Sequence, residues 1–485
     1  MYHTTASASA RAAPPAAAPT VEVRTSREGL DAAIRAARRD VLSLQHADGY
    51  WCHELEADCT IPAEYILMLH FLGESEPALE AKMARYLRRR QGRDGGWPLY
   101  EGGEADVSCS VKAYFALKLA GDTAEAPHMK RARAAILALG GAARANVFTR
   151  ITLALFGELP WRGVPCVPIE LILLPRWFWF HIDKVSYWSR TVMTPLALLC
   201  SLKARAANPL DIHIAELFTT PPHLEKHYFA APRSRLGRAL LLIDRIGHRI
   251  DPRLFARLRR RAIARAESWI LERLNGSGGL GAIFPAMVNA CEALAVLGYP
   301  PEHRLRRDAR RALRELVVVN RAEAYCQPCT SPVWDTALTC LALQEDLGDA
   351  PAPAIDKALS WLRERQLLQA AGDWCRAHPG LAGGGWAFQF RNDAYPDLDD
   401  TAAVALAMRQ ADAGTRYEES LRRAADWLKG MQSRCGGFAA FDADNDRSYL
   451  NEIPFADHGA LLDPPTSDVS ARVLTFLARL DRPGD

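Results

Sequence analysis

One sequence pattern recurs along the chain and limits its fold to stacked units. It consists of an aromatic and an apolar residue, then Gln, then Gly and a second aromatic residue, at fixed spacing. Clear copies begin at Tyr86 and Trp427, and a third ends at Trp51. A fourth begins at Trp361, and its loop is lengthened to reach Trp374. A weaker fifth begins at Trp269. Repeats of this kind are typical of proteins built from stacked supersecondary units.

The repeated units are predicted to be pairs of helices joined by a tight turn. The first helix has its apolar residues on one face, at helical spacing: Leu30, Ile34, Ala37, Val41 and Leu44. Each Gln of the repeat lies at the end of such a helix, and we expect it to bond the free ends of neighbouring helices. Helical hairpins that curve into a closed ring form an α/α barrel, so an all-α fold without strands is expected.

A second pattern marks the start of the helix that follows each turn, and one copy of it carries extra acids. Three copies have one Asp, for which a role at the helix N-terminus is sufficient: Asp106, Asp335 and Asp468. The segment DLDDTA contains Asp397, Asp399 and Asp400. Asp400 aligns with the structural Asp of the other copies, so Asp397 and Asp399 are extra. Crowded carboxylates favour one another's protonated forms, because a second negative charge nearby is unfavourable.

Composition narrows the class of protein. The length of 485 residues exceeds one ordinary core, so two domains are expected. A net charge of +3 with 24% charged residues gives no reason to expect nucleic-acid binding. The Ala- and Pro-rich residues 1–26 are predicted to be a disordered tail. The 11 scattered cysteines indicate a reducing compartment, and no apolar run is long enough for a transmembrane helix.

Together these segments resemble the squalene–hopene cyclase family, the bacterial class II triterpene cyclases. The repeat resembles that family's Gln–Trp motif, and residues 383–402, GGGWAFQFRNDAYPDLDDTA, resemble the segment around its DxDD motif. Residues 147–161, 279–286, 331–343 and 450–474 are also similar to the family. The similarity covers nearly the whole chain.

The resemblance implies two α/α barrels, one inserted into the other, with a cavity between them. On this interpretation residues 55–328 form the inserted barrel, and residues 27–54 with 329–485 form the catalytic barrel. The segment after Cys329 has room for about three helix pairs, and a closed ring needs about twice as many. The second barrel is therefore expected to be incomplete, with the chain truncated at its C-terminus.

The resemblance also implies an activity, the cyclisation of squalene to pentacyclic triterpenes such as hopene and hopanol. Asp399 would be the buried acid that protonates a terminal alkene, supported by Asp397 and Asp400. Three residues match aromatic positions that line the family's substrate cavity: Trp188, Trp334 and Phe388. Glu452 is interpreted as lying near the catalytic Asp, where the family commonly has a His. Squalene has no leaving group, so neither a metal nor a cofactor is expected.

The implied partners are squalene and a membrane lipid surface, on the cytoplasmic side of a bacterial inner membrane. The apolar stretch Val167–Ile182 is compatible with a buried core or with a surface that enters one leaflet. A homodimer and a separate polypeptide carrying the missing helices are both left open. Two other functions also stay open. One is a decayed cyclase that binds lipid or a partner as a helical repeat protein, and the other is a class II diterpene cyclase with a basic diphosphate pocket.

Overall fold

The computed structural model describes six stretches of the chain: residues 27–229, 234–249, 255–345, 352–411, 415–456 and 459–480. The predicted disordered tail, residues 1–26, lies outside them. The chain divides into two compact units, one up to residue 45 and one from residue 46 onwards. The described part of the first unit contains helix α1, Arg27–Ser43, which confirms the helix predicted there. The predicted domains, 55–328 and 27–54 with 329–485, stay a prediction.

The second unit is helical, which confirms the all-α prediction. Its described residues form 16 further α-helices, α2 to α17: Thr60–Leu72, Pro77–Arg89, Val107–Leu119, Pro127–Ala138, Val147–Leu155, Tyr187–Leu202, Arg235–Gly247, Ala256–Glu272, Phe284–Val296, Arg304–Glu315, Pro332–Gln344, Ala352–Arg363, Trp374–Ala377, Leu398–Ala411, Glu418–Gly430 and Ser467–Leu480. Within the described ranges, every helix is too short or too polar to span a lipid bilayer.

Short strands are present although none was predicted. Strand β1 (Trp97–Pro98) pairs antiparallel with β2 (Ala105–Asp106), and β3 (Val317–Val319) pairs antiparallel with β4 (Ala324–Cys326). Each pair joins the two sides of a single turn between helices. Strands of two or three residues are too short to show a period of two in the sequence, so the pattern analysis missed them.

Inner and outer helices can be told apart by their burial. In α4 every residue from Ser108 to Leu117 is buried, as expected for a helix surrounded by others. In α11 only one face is buried, including Ala309 and Leu313, and the rest is rich in Arg. Helix α2 packs against α4 and α10, and α10 packs against α7, while α3, α5 and α11 cover this inner layer. This layering is that of the α/α-barrel class.

The aromatic residue of the repeat ties an outer helix to the next inner helix. In the copy that begins at Trp361 this residue is Trp386, so the prediction of Trp374 is wrong. Trp386 donates its indole N–H to the carbonyl of Leu362 at the end of α13, over 2.7 Å. Its backbone N–H donates to Thr401 Oγ1 of α15, over 2.9 Å. Trp97 makes the corresponding two bonds between α3 and α4. Since the last carbonyls of a helix have no partner within the helix, the indole satisfies one of them.

The Gln of the repeat connects successive hairpins, as predicted. Gln366 donates to a glycine carbonyl of its own turn and to the carbonyl of Ser420 in the first turn of α16, the latter over 2.9 Å. Gln91 does the same with the carbonyl of His128 in the first turn of α5, also over 2.9 Å. The prediction that these residues stabilise the fold by joining helices is therefore confirmed.

Replacing Trp386 by Ala should destabilise the fold strongly. The ring is fully buried, and its loss should lower the free energy of unfolding by about 3–5 kcal/mol, as is usual for buried Trp. The measurement is the midpoint of thermal unfolding. Trp177→Ala is the matched control, since that ring is 77% exposed. Equal effects of the two substitutions would contradict the structural role of the repeat.

Candidate active site

A side-chain hydroxyl near the start of an inner helix shows which residues of the repeat copies correspond. In four copies it accepts the backbone N–H of the turn's aromatic residue over 2.8–2.9 Å; the acceptors are Ser110, Thr336, Thr401 and Ser470. Counted back from this hydroxyl, Asp335 and Asp400 occupy the same position, as the sequence pattern predicted. Trp334 and Asp399 correspond in the same way.

Two of the predicted equivalences are wrong. Asp106 corresponds to Asp397, because each lies four residues before the hydroxyl and caps its helix. Asp397 Oδ1 accepts the backbone N–H of Asp400 over 2.7 Å, and Asp106 accepts the N–H three residues on over 2.8 Å. Asp468 corresponds to Asp399, two residues before the hydroxyl. The DLDDTA copy thus combines at one helix start three carboxylates that the other copies carry singly.

Asp397 and Asp400 form a buried carboxyl pair. Their side chains are 2% and 1% exposed, and one oxygen of each has no hydrogen-bond partner among the described residues. Burial raises the pKa of Asp397 to about 7 against the effect of hydrogen bonds from Asp400, and the charge of Asp399 adds to the rise. Burial, and then the charge of Asp397, raises the pKa of Asp400 well above its usual range. The pair therefore holds a proton at neutral pH.

Asp399 lies outside this pair, against a cation. Arg472 of α17 donates its Nη1–H to Asp399 Oδ1, and its guanidinium carbon lies 4.8 Å from the centre of the Trp334 ring. The Asp399 side chain is 26% exposed, so the expected full burial is wrong. The contact was missed because Arg472 is 73 residues away in sequence, although it lies within residues 450–474, which resemble the family.

Glu452 lies in a polar cavity. It accepts a hydrogen bond from Ser234 Oγ over 2.7 Å and lines a polar cavity of ≈ 540 Å³ together with Arg150. No acid of the DLDDTA segment lines this cavity. Arg472 is in contact with Asp399, and the position of Glu452 near this acid stays a prediction. A role for Glu452 in substrate binding stays a prediction.

A run of aromatic rings connects the acid pair to Trp188. The ring centre of Tyr187 lies 4.6 Å from that of Tyr395 and 4.1 Å from that of Phe441. Phe441 in turn lies 5.9 Å from Trp188. Burial raises the pKa of Tyr187, and the nearby charge of Asp397 raises it further. Tyr187 is thus the ring of this run that interacts with the acid pair. Tyr187, Tyr395 and Phe441 had not been identified from the sequence.

Trp188 also lines an apolar cavity of ≈ 320 Å³. Its wall comes from inner helices α2, α4, α6, α7 and α10 and includes Phe148 and Phe156. The indole N–H of Trp188 donates to the carbonyl of Ala460 over 2.7 Å, which fixes the ring at the wall. The Phe388 carbonyl accepts the Val333 N–H over 3.4 Å, beside Trp334 in the chain. Contact of Trp188, Trp334 and Phe388 with a substrate stays a prediction.

One patch of the cavity wall is charged. Lys112 of α4 forms an ion pair with Glu64 of α2, and Glu292 of α10 lines the same cavity. Burial, and then the charge of Glu64, raises the pKa of Glu292 to about 8. Glu292 is therefore mostly protonated at neutral pH. The largely apolar cavity thus has a charged region that can exchange a proton or hold water.

A buried ionic network ties α7 to the segments around the acid motif. Arg190 of α7 lies 3.3 Å from Asp373 and donates to both oxygens of Asp442 over 3.0 Å. Asp373 also accepts from Arg273 over 2.6 Å and from Tyr395 Oη over 2.9 Å. These cations lower the pKa of Asp373 to about 2 despite its burial. The network holds Tyr395 beneath the ring of Tyr187.

Comparison with known proteins gives one consistent family. The profile of the squalene-hopene cyclase N-terminal domain matches residues 34–322, and that of the C-terminal domain matches residues 330–485. The chain is 51% identical over 459 residues to the squalene–hopene cyclase of Zymomonas mobilis, covering 92% of this chain and 69% of that one. It is 50% identical to the squalene–hopene cyclase of Bradyrhizobium diazoefficiens, and the match covers 93% of this chain and 70% of that one. It is 48% identical to the squalene–hopene cyclase of Schizosaccharomyces japonicus, and the match covers 96% of this chain and 72% of that one.

The acid pair should make stability depend on pH. The folded chain keeps a proton on Asp397 where the unfolded chain, with a pKa of 3.8, has lost it. The protonated Asp397 therefore adds its full contribution to the free energy of unfolding below about pH 4, and this contribution falls as the pH rises towards about 7. Asp397→Asn keeps an oxygen for the helix cap but cannot titrate. The thermal midpoint of the variant should rise relative to wild type between these pH values.

The control for this measurement is Asp106→Asn, which changes the corresponding cap of α4. Comparison with this variant separates the effect of changing a helix cap from the effect of the acid pair. If Asp397→Asn and Asp106→Asn showed the same pH-independent difference, the protonated pair would be refuted.

Proposed function

Because this chain belongs to the squalene–hopene cyclase family, we propose that it protonates squalene at Asp399 and closes it into hopene-type pentacycles. It is a class II terpene cyclase. The observation that carries the residue assignment is the placement of Asp399. It lies beside a buried, proton-holding carboxyl pair and against Arg472, whose guanidinium faces the Trp334 ring. A diterpene cyclase would need a basic pocket for a diphosphate, whereas the cavity that Trp188 lines is largely apolar.

Asp399 would act as the acid. An alkene is a very weak base, so the carboxylate that remains after proton transfer must be well stabilised. Arg472 supplies that stabilisation through its direct ion pair with Asp399. Asp397 and Asp400 hold a further proton close by, which limits the negative charge of the three carboxylates. This proton can pass to the Asp399 carboxylate after each turnover, and the pair then takes up a new proton from solvent.

The aromatic rings would stabilise the carbocation that forms. Each ring face contributes on the order of 1–2 kcal/mol to a desolvated cation. Phe441 and Trp188 suit this role because their rings are not basic and do not remove a proton from the cation. A fixed wall of such rings also folds the flexible polyene so that successive double bonds come together.

The charged patch of Glu64, Lys112 and Glu292 would be where the reaction ends. The final cation has two outcomes, depending on what it meets. If it loses a proton to a water or carboxylate at the patch, the product is an alkene such as hopene. If a water held there adds to the cation and then loses a proton, the product is the corresponding alcohol.

Substrate would enter from a membrane through a groove beside α8. The groove has a volume of ≈ 400 Å³ and is lined almost entirely by apolar residues, including Leu240 and Ile243 of α8. Next to it, Leu242, Ile243 and Ile246 form an exposed apolar stripe on α8. Trp177 and Trp179 are exposed as well, although Ile169 in the same apolar stretch is buried. Such a surface fits shallow insertion into one leaflet.

The flank of α8 fits anionic lipid headgroups. Arg238 and Arg245 are exposed and, at a spacing of seven residues, lie on one side of the apolar stripe. Such a flank suits the cytoplasmic leaflet, which is rich in anionic lipid. All 11 cysteines are free, which agrees with a reducing compartment. We therefore place the protein on the cytoplasmic side of the inner membrane as a monotopic protein. A homodimer stays a prediction.

Asp399→Asn should abolish cyclisation. Loss of a general acid usually costs roughly 10²- to 10⁴-fold in rate, and here no other group would replace it. The measurement is gas chromatography of the products after incubation of membranes containing the chain with squalene. Asp393→Asn, an exposed acid nearby, is the control and should keep full activity. A folded wild type without cyclised product would favour the non-catalytic repeat protein.

Ile243→Glu should weaken membrane binding. Burying one such side chain in lipid is worth about 1.5–3 kcal/mol, so the partition coefficient should fall by roughly 10-fold or more. The measurement is co-sedimentation with vesicles of phosphatidylcholine and phosphatidylglycerol. Leu210→Glu, an equally exposed site outside α8, is the control and should bind like wild type. Unchanged binding of the Ile243 variant would exclude α8 as the docking surface.

A further inference from the structure

The turn of residues 440–442 contacts both halves of the proposed active site. The Ala440 carbonyl accepts the backbone N–H of Leu398, inside the DLDDTA segment, over 2.8 Å. The next residue, Phe441, places its ring 4.1 Å from that of Tyr187 and 5.9 Å from that of Trp188. A shift of this turn would therefore move the acid motif and the aromatic wall relative to each other.

Three successive N–H groups of this turn converge on one carboxylate. Asp463 Oδ1 accepts from Ala440 over 3.1 Å, and Oδ2 accepts from Phe441 over 2.8 Å and from Asp442 over 2.9 Å. The Asp463 side chain is buried, and its own backbone N–H donates to the Asn445 carbonyl over 3.1 Å. A concave set of backbone N–H groups is a natural anion site, and here the anion belongs to the chain itself.

The same arrangement leaves Asp442 free for a second task. Its backbone is fixed by Asp463, while its two carboxylate oxygens accept from Arg190 over 3.0 Å each. Arg190 lies on α7, two residues after Trp188 and three after Tyr187. The turn is thus fixed at three points: by Asp463, by Leu398 and by Arg190.

We propose that Asp463 is a positioning residue for the cyclisation. By holding turn 440–442, it sets the Phe441 ring against Tyr187 and Trp188 and keeps that wall in register with the acid motif. This inference rests on the proposed function and extends it to a residue that touches neither the acid nor the cavity. Its effect should fall on the later ring closures, which need the chain correctly folded, more than on substrate uptake.

Asp463→Asn tests the proposal. The amide turns one acceptor oxygen into an NH₂ group, so at least one of the three N–H groups loses its partner. The expected result is a fall of 10-fold or more in kcat, little change in KM, and a larger share of partly cyclised products. Phe441→Ala should shift the products in the same direction. Asp446→Asn, an exposed acid of the same loop, is the control and should behave as wild type.

Hydrogen exchange gives a second readout that needs no turnover. The amides of residues 440–442 should exchange faster in Asp463→Asn than in wild type or in Asp446→Asn. Unchanged exchange at these amides would overturn the proposal, and so would an unchanged product pattern per folded molecule. If the wild type itself makes no cyclised product, the proposed function fails and this inference fails with it. A product shift in Asp463→Asn with an active wild type supports both.

Discussion

The position of the acid motif depends on the way one tryptophan holds two helices. Trp386 gives its indole N–H to the end of α13 and its backbone N–H to Thr401 of α15, and its carbonyl accepts the N–H of Asp397. These three bonds fix the first turn of α15 before any functional side chain is considered. The repeat that holds the helices together therefore also positions the carboxylates of the DLDDTA segment. A change in the turn would disturb stability and chemistry together.

The three carboxylates of residues 397–400 differ in their burial and in the charges around them. Asp397 and Asp400 are desolvated, and burial keeps a proton between them. Asp399 is partly exposed and faces a guanidinium. Burial favours the neutral form of an acid, while a neighbouring cation favours the charged form. The motif can therefore store a proton on one side and stabilise a carboxylate on the other.

Local features were predictable from the sequence, and contacts between distant segments were not. The helices and the bonds of the turn Gln follow from short-range periodicity and spacing, and the structure confirms them. The bonds of the indole were not predicted, and in the longest turn they belong to Trp386 and not to Trp374. The correspondence of Asp106 with Asp397 failed because only a hydrogen bond, from the turn to a helix hydroxyl, defines that register. Arg472 and the turn at Phe441 reach the site through tertiary packing. Arg472 lies within residues 450–474, which resemble the family, but the resemblance did not single out this residue or its contact with Asp399.

The buried network around Arg190 has a consequence for how such a chain can diverge. Two guanidinium groups and two carboxylates form the buried centre of this network, where opposite charges balance and little water screens them. Glu272 and Arg376 extend it towards the surface. Deleting one member leaves an uncompensated charge in the interior, at a cost of about 3–5 kcal/mol. A substitution at one of these positions is therefore strongly destabilising unless the residue of opposite charge is substituted as well. Positions 190 and 442 should therefore covary among related sequences, so that Arg190 and Asp442 are either both present or both replaced.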